Sequence, residues 1–306
     1  MTELINLRGC GTALVTPFDT NGALDLKAFT RLVEFQIRAG IDFLIPCGTT
    51  GENPTLTHEE QSQVVATAVK TAAGRVPVIA GAGGYNTHEV IKRIAEYEKL
   101  GVQGILSVTP YYNKPTQEGL YQHYRAIAES TQLPIVLYNV PGRTGCNMEV
   151  ETVVRLAAIP NIVAMKEASG NIAQICELLT RVEANFAVLS GDDAITLPLM
   201  GAGGVGVISV VSNLIPARVC KLVHHCLAGQ FGAAQQINRE IFPLFKMLFI
   251  ESNPIPIKAA LARTGLIVEQ YRLPLVPMRP ENRAKLFQLL DTLQIDEVEH
   301  ELARGN

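Results

Sequence analysis

Lys166 is the residue in this sequence whose type and surroundings best suit covalent chemistry. It directly follows a four-residue apolar run, 162–165, in the stretch between Pro160 and Gly170. Such a run predicts a buried strand of a parallel sheet. An amine placed there loses hydration on its ammonium form, which favours the neutral, nucleophilic amine. It could then condense with a ketone to a Schiff base, an electron sink for making or breaking the adjacent carbon–carbon bond. The alternative is a lysine that reaches water or pairs with Glu167.

Schiff-base formation also needs a proton carrier, and hydroxyl-bearing residues follow other apolar runs of the chain. Tyr138, Thr49 and Tyr112 are of suitable type, because a tyrosine backed by further hydroxyls can relay a proton. Thr49 and Thr50 could instead cap a turn. Tyr111 and Tyr112 could be packing aromatics with a hydrated hydroxyl group.

Two features could bind carboxylates. The turn at residues 48–51, Gly-Thr-Thr-Gly, can offer backbone N–H groups and hydroxyls as an anion nest. Arg143 can grip a second carboxylate with two parallel hydrogen bonds, although it could equally bridge surface carboxylates. A pair of acidic substrates, one of them a keto acid, follows from these features.

Asp192 and Asp193 are better explained as helix caps than as metal ligands, and the strand ends lack histidine, so no metal site is expected.

The elements that must position these residues alternate regularly along the chain. Eight apolar runs predict strands, at residues 12–16, 43–46, 76–80, 104–109, 135–139, 162–166, 186–190 and 206–210. Helix-like segments separate them, at residues 26–39, 57–73, 87–100, 117–130, 148–158, 173–182 and 194–200. Eight such units predict an α/β fold, the (β/α)8 TIM barrel. A doubly wound open sheet would carry a glycine fingerprint after its first strand, and residues 17–22 form a turn instead.

Local signals mark where the helices begin. Thr57 and Glu60 have the spacing of a capping box, in which each side chain satisfies a backbone N–H group. Thr87, Thr116 and Asn171 are predicted as N-caps of later helices.

Beyond residue 218 the pattern becomes helical, at residues 219–227, 233–248, 256–263 and 281–293. The first of these predicts the eighth helix of the barrel. We therefore expect a catalytic barrel at residues 1–228 and a C-terminal helical extension at residues 229–306 that packs on it. Active sites of TIM barrels lie at the C-terminal ends of the strands, so the residues named above are expected on one rim.

Composition excludes several classes of protein. The 306 residues are 47% hydrophobic and 18% charged with a formal net charge of -3, which argues against a nucleic-acid surface. No run reaches the roughly 18 apolar residues of a membrane span. Residues 1–8 lack the features of a signal peptide, so we expect a cytoplasmic protein. The six cysteines form no CxxC pair, and we expect them to be reduced and mostly buried thiols.

Four stretches, at residues 48–52, 109–113, 138–145 and 166–170, resemble signature segments of the dihydrodipicolinate synthase family. This family lies within the pyruvate-dependent class I aldolases, the superfamily that includes N-acetylneuraminate lyase. The similarity runs over nearly the whole chain, to residues 253–258. The Lys166 and Tyr138 motifs resemble the superfamily in general, whereas Arg143 after Pro141-Gly142 is the more specific mark.

The resemblance implies a reaction and roles for individual residues. Pyruvate would condense with L-aspartate 4-semialdehyde to give 4-hydroxy-tetrahydrodipicolinate, in lysine and diaminopimelate biosynthesis, without a cofactor. Lys166 would form the Schiff base, and the proton relay would consist of Tyr138, Thr49 and Tyr112. Tyr112 would come from a neighbouring subunit of a homotetramer, a dimer of dimers. Substrate-binding roles would fall to Thr50, Arg143, Gly191 and Ile208.

The resemblance also implies a possible allosteric site for lysine at a subunit interface. His58, Glu89 and Tyr111 match that site. Four other positions depart from the residues usual there, namely Asn53, Pro54, Gln61 and Tyr85. Feedback inhibition by lysine is therefore left open.

Two other classes of function remain possible at this stage. A lyase acting on a sugar acid would share Lys166 and Tyr138 without needing Arg143. A non-catalytic binding barrel could keep the fold, because a fold by itself does not determine function.

Overall fold

A computed structural model of the chain describes residues 5–295, and its centre is a barrel of eight parallel strands. The strands are β1 Gly9–Ala13, β2 Phe43–Ile45, β3 Ile79–Gly81, β4 Gly104–Val108, β5 Ile135–Asn139, β6 Ile162–Glu167, β7 Ala187–Ser190 and β8 Gly206–Ser209. Their order in the sheet is β2-β1-β8-β7-β6-β5-β4-β3. A parallel bridge between Leu44 and Val78 brings β2 beside β3 and nearly closes the barrel. The predicted TIM barrel is confirmed.

The helices surround the strands and continue past the barrel. They are α1 Leu26–Arg38, α2 His58–Ala72, α3 Thr87–Lys99, α4 Gln117–Glu129, α5 Pro141–Thr144, α6 Val150–Ala157, α7 Ile172–Arg181, α8 Thr196–Gly201, α9 Pro216–Leu227, α10 Phe231–Met247, α11 Ile255–Arg263 and α12 Pro280–Thr292. Helix α9 packs on β1 and β8 as the eighth helix of the barrel. The boundary predicted at residues 228 and 229 falls in the turn between α9 and α10. Residues 296–306 of the predicted extension lie outside the described residues.

Strand β6 shows how the alternating strand pattern positions the reactive lysine. Ala164 belongs to a small apolar cluster inside the barrel, whereas Met165 belongs to the larger core between barrel and helices. Because successive side chains of a strand point to opposite faces, Lys166 lies on the inner face and Glu167 on the outer face. The alternation of side chains along the strand therefore directs the amine into the barrel.

Strand β1 begins three residues before its predicted start. The strand is Gly9–Ala13, and it contains glycines where neighbouring residues come too close for a side chain. A Cβ at Gly11 would lie 2.0 Å from the ring of Phe43. Glycine within a strand often marks such a close approach, which a pattern of apolar residues does not show.

The predicted N-caps are correct except at one helix. Thr57 and Glu60 form the capping box of α2, and Thr116 and Asn171 cap α4 and α7. At α3 the cap is Asn86, one residue before the predicted Thr87. The hydroxyl of Thr87 instead hydrogen-bonds His123 Nδ1 at 2.8 Å, a contact between helices α3 and α4.

No helix within residues 5–295 combines the length and the apolar character needed to cross a bilayer. All six cysteines are free thiols, and five of them are buried, as expected.

Candidate active site

The two most chemically informative side chains face each other inside the barrel. Tyr138 and Lys166 are register partners on β5 and β6. The Nζ of Lys166 lies 4.3 Å from the centroid of the Tyr138 ring, and both residues are buried. A primary amine largely removed from water thus lies beside a phenol at the C-terminal end of the barrel.

Gly191 and Ile208 adjoin this pair from the neighbouring strands. A Cβ at Gly191 would lie 3.0 Å from Cγ and Cε of Lys166, so the glycine leaves the space that the lysine stem occupies. The N–H of Gly191 donates to the carbonyl of Glu167 at 2.7 Å and is therefore already engaged. Ile208 belongs with Tyr138 to the apolar cluster inside the barrel.

A second register pair fixes the same two strands on their outer face. Asn139 and Glu167 are partners, and the amide of Asn139 donates to Glu167 Oε2 at 3.1 Å. The N–H of Ser169 donates to the other carboxylate oxygen at 2.5 Å. Burial raises the pKa of the Glu167 carboxyl, and these donors oppose the rise. The outer pair thereby locks the relative position of the strands that carry Tyr138 and Lys166.

The Gly-Thr-Thr-Gly turn forms a short 3-10 helix, Thr49–Gly51, after β2. The hydroxyl of Thr16 on the loop after β1 donates to the carbonyl of Gly51 at 2.7 Å. Thr50 is buried, and its hydroxyl oxygen accepts a hydrogen bond of 3.0 Å from the amide of Asn253. Thr49 lies on the cavity side of the turn.

A cavity of about 190 Å³ opens at this end of the barrel, lined by residues that include Thr49, Tyr111, Tyr138 and Arg143. Drug-sized ligands occupy pockets of roughly 300–1,000 Å³, so this cavity suits a small metabolite. Its position at the C-terminal rim agrees with the general location of active sites in this fold.

Arg143 reaches the cavity from α5, the short helix directly after β5. Pro141 begins this helix, and Gly145 ends it in a left-handed conformation with φ of +69°. The Nη2 of Arg143 donates to the carbonyl of Asn253 at 3.1 Å. A guanidinium has five N–H donors in a planar fork, so this bond uses one of them at a residue that lines the cavity.

Tyr112 is the one predicted relay residue that the fold does not bring to the cavity of its own chain. Its side chain is 91% exposed, and its backbone has a left-handed φ of +69°. Its neighbour Tyr111 does line the cavity and contacts Tyr85 edge to face at 5.2 Å.

A second cavity, of about 290 Å³, adjoins the first and shares Asn53, Pro54, Gly83 and Tyr111 with it. Its lining includes the three residues suggested for an allosteric site, His58, Glu89 and Tyr111. It also includes the four positions that depart from the usual residues of that site, Asn53, Pro54, Gln61 and Tyr85.

Arg93 also lines the second cavity, and sequence reasoning did not single it out. Its Nη2 lies 2.7 Å from Nε2 of His58. Within residues 5–295, three buried polar atoms of this lining have no hydrogen-bond partner: Arg93 Nη1, Asn53 Oδ1 and Gln61 Oε1. Buried polar atoms are seldom left unpaired, so these three atoms are available to a polar ligand or to water.

Asp192 and Asp193 serve different purposes. Asp192 caps the 3-10 helix that precedes α8, accepting from the N–H of Ala194 at 2.9 Å. Asp193 is buried and joins the ends of β7 and β8, accepting from the hydroxyl of Ser209 at 2.5 Å and from the N–H of Val210 at 3.0 Å. Burial raises the pKa of Asp193 to about 6.

Sequence reasoning also missed two residues of the extension that contact the rim. Asn253, which lies just before α11, contacts both Thr50 and Arg143. Lys258 of α11 is completely buried against Glu52. A lysine in the apolar segment 255–261 was the available signal, but its partner is about 200 residues away and not visible in any local pattern.

Comparisons with known proteins agree on one family. The model described as "Dihydrodipicolinate synthetase family" matches residues 6–293. A 4-hydroxy-tetrahydrodipicolinate synthase of Koribacter versatilis (strain Ellin345) is 54% identical over 283 residues, covering 92% of this chain and 94% of that protein. The crystal structure of dihydrodipicolinate synthase from Aquifex aeolicus superposes with a TM-score of 0.93 at 46% identity, covering 94% and 99% of the two chains. The dihydrodipicolinate synthase of Cyanidioschyzon merolae, solved with lysine bound, has a TM-score of 0.92 at 42% identity, covering 94% and 98%.

Proposed function

The chain belongs to the dihydrodipicolinate synthetase family, and we propose that it condenses pyruvate with L-aspartate 4-semialdehyde to give 4-hydroxy-tetrahydrodipicolinate. It is a lyase of the class I aldolase type, acting in lysine and diaminopimelate biosynthesis. The observation that carries the assignment of residues is the buried amine of Lys166 against the Tyr138 ring, next to a cavity that Arg143 lines.

Lys166 is the nucleophile of the proposed reaction. Its amine adds to C2 of pyruvate, and water leaves as the Schiff base forms. Loss of a proton from C3 gives an enamine, whose C3 attacks the aldehyde carbon of the second substrate, and the aldehyde oxygen becomes the 4-hydroxyl. The amino group of that substrate then attacks C2, closes the ring and releases Lys166. Tyr138 is the proton carrier nearest the amine, with Thr49 and Tyr112 completing the relay.

The carboxylates have separate binding groups. We assign the pyruvate carboxylate to the N–H and hydroxyl groups of Thr49 and Thr50 in the turn at residues 48–51. Arg143, with one donor on Asn253, offers the rest of its fork to the carboxylate of the semialdehyde. Gly191 and Ile208 shape the wall beside Lys166, Gly191 chiefly by lacking a side chain.

A complete site requires a second copy of the chain. A left-handed backbone costs a non-glycine residue about 1–3 kcal/mol and persists only where surrounding contacts fix it. Tyr112 has this conformation and exposes nearly its whole side chain, which supports insertion into a neighbouring subunit. We propose a cytoplasmic homotetramer, a dimer of dimers, in which Tyr112 completes the partner's relay.

The test is turnover of pyruvate with aspartate semialdehyde, coupled to a reductase that consumes NADPH. Lys166→Ala is expected to abolish activity and the adduct that borohydride traps with pyruvate. Arg143→Ala is expected to lose semialdehyde use while it keeps the pyruvate adduct. An inactive wild type that still forms the adduct would contradict the synthase assignment and favour a sugar-acid lyase. A wild type without adduct would contradict Schiff-base chemistry altogether.

For the second cavity we infer an amino-acid effector, with lysine as the first ligand to test. The unpartnered Arg93 Nη1 suits a carboxylate, and Asn53 Oδ1 and Gln61 Oε1 suit an ammonium. His58, Glu89 and Tyr111 complete the lining, and Glu89 adds a negative charge for a second ammonium. The wall shared with the first cavity gives a physical route to inhibition.

Calorimetric titration with L-lysine, alongside inhibition kinetics, tests this effector site. Glu89→Gln is expected to weaken binding, because it removes the charge. Glu96→Gln is the matched control: Glu96 is exposed about two turns further along the same helix, does not line the cavity, and its variant is expected to bind lysine as the wild type does. Absence of both binding heat and inhibition at millimolar lysine would contradict the assignment.

A further inference from the structure

A buried ion pair ties the C-terminal extension to the turn that follows β2. The Nζ of Lys258 on α11 lies 2.5 Å from Oε1 of Glu52, and both side chains are fully buried. Lys258 also donates to the carbonyl of Thr16 at 3.1 Å and lies 4.3 Å from the centroid of the Phe18 ring. Burial lowers the pKa of Lys258, and the adjacent Glu52 carboxylate opposes that change. Burying two charges costs solvation free energy, and apolar residues of similar volume could replace such a pair with little loss of stability. The presence of this pair therefore points to a role other than stability.

The position of Glu52 suggests the role of the ion pair. Glu52 directly follows the Thr49–Gly51 helix and has a left-handed φ of +54°, while Cys47, just before the turn, has φ of +56°. Neither residue is glycine, so the substrate-facing turn lies between two strained positions. Strain of this kind persists only where surrounding contacts over-determine it. The bond from Lys258 holds the Glu52 end.

A second contact from the extension reaches the same turn. Asn253, which lies just before α11, donates its amide to Thr50 Oγ1 at 3.0 Å. Its carbonyl accepts from Arg143 at 3.1 Å. One segment of the extension, residues 253–258, therefore contacts the turn at two residues and the arginine at a third point.

We propose that Lys258 is a positioning residue for the reaction: through Glu52 it holds the turn at residues 48–52 in the shape that binds the pyruvate carboxylate. This inference rests on the proposed function, specifically on the assignment of that carboxylate to Thr49 and Thr50. Lys258 has no contact with substrate in this scheme, because it is enclosed between Glu52, Thr16 and the Phe18 ring. Its effect is on the affinity of the first substrate.

The test compares Lys258→Met with the double variant Glu52→Gln/Lys258→Met. Methionine keeps an unbranched stem in the apolar surroundings. The double variant leaves no unpaired charge in the buried site, so it can still be tested if the single variant does not fold. The readout is the pyruvate concentration that half-saturates borohydride trapping of Lys166, which needs no aldehyde. Steady-state KM and kcat and a thermal melt accompany it.

Both variants are expected to raise the half-saturating pyruvate concentration and KM for pyruvate by about tenfold or more. The kcat at saturating pyruvate is expected to fall by a smaller factor than KM rises, because Lys166 and Tyr138 stay in place and only Thr49 of the relay lies on the loosened turn. Arg218→Met is the control: Arg218 ties α9 to Glu240 on α10 and to the carbonyl of Leu293, away from the turn. It is expected to change the melting temperature without changing pyruvate half-saturation.

A folded double variant with wild-type pyruvate half-saturation would overturn the inference while leaving the proposed function intact. An equal rise in half-saturation for Arg218→Met would also overturn it, since loose docking of the extension would then explain the effect. A wild type that forms no pyruvate adduct would refute the proposed function and this inference together.

Discussion

Replacing Gly191 by alanine tests whether the space beside Lys166 sets the reactivity of the amine. A Cβ at this position would lie 2.7 Å from Cβ of Ala168 and 3.0 Å from Cγ and Cε of Lys166. Contacts this short require movement. The Cβ of Ala168 cannot rotate away, so the backbone there, directly after β6, must shift. We expect the adjoining, flexible lysine stem to be displaced as well and to withdraw its Nζ from the Tyr138 ring.

The size of the effect follows from that overlap. Inserting a methyl group into a packed site costs typically about 1–3 kcal/mol. If this cost is met by displacing Lys166 from its reactive position, kcat/KM for pyruvate falls by about 5- to 150-fold. The N–H of Gly191 keeps its hydrogen bond to Glu167 in either case.

The assay combines steady-state kinetics with mass spectrometry of the borohydride-trapped pyruvate adduct. Gly232→Ala is the matched control, because a Cβ there meets nothing within 4 Å, and wild-type kinetics are expected from it. A Gly191→Ala enzyme that keeps its fold, its adduct yield and kcat/KM within about twofold of wild type would refute the argument that this glycine makes room for the lysine.

Two further predictions concern subunit sharing and pH. Tyr112→Phe is expected to lower kcat by about 100-fold or more, and mixing it with Lys166→Ala should restore up to about a quarter of wild-type activity, because random hybrid dimers contain one intact site. Mixing that restores nothing after verified subunit exchange would place Tyr112 outside the partner's site. Burial raises the pKa of Asp193 to about 6 in the folded state, so its contribution to stability is complete below the unfolded pKa near 4 and declines by about 3 kcal/mol as pH rises through 6. Asp193→Asn is expected to remove that decline in urea unfolding measured from pH 4 to pH 7, and an unchanged pH slope would contradict the burial argument.

The C-terminal extension connects segments of the barrel that are far apart in the sequence. Residues 253–258 contact the turn after β2 and the arginine after β5, which are more than 100 residues away in sequence. Substitutions in the extension should therefore alter substrate binding without touching substrate.

Periodicity in the sequence was enough to predict eight strand–helix units, and with them the barrel and the rim where reactive residues gather. That prediction works because a parallel strand buried on both faces is apolar along its whole length, and because a barrel places all strand ends on one side. Lys166, Tyr138, Thr49 and Arg143 could be selected in this way, since each lies at the end of a run or within a few residues after it. The resemblance to a family then suggested their roles.

Only the tertiary structure decided which residues support that rim. The bond between Glu52 and Lys258 joins residues 206 positions apart, and Arg93 meets His58 across two helices. The outward orientation of Tyr112 and the close approach at Gly11 depend on backbone angles and neighbouring strands. A local sequence pattern reports which residues of one segment are apolar and at what spacing. The contacts named here depend on how closely two segments approach each other, and that is set only when the chain packs.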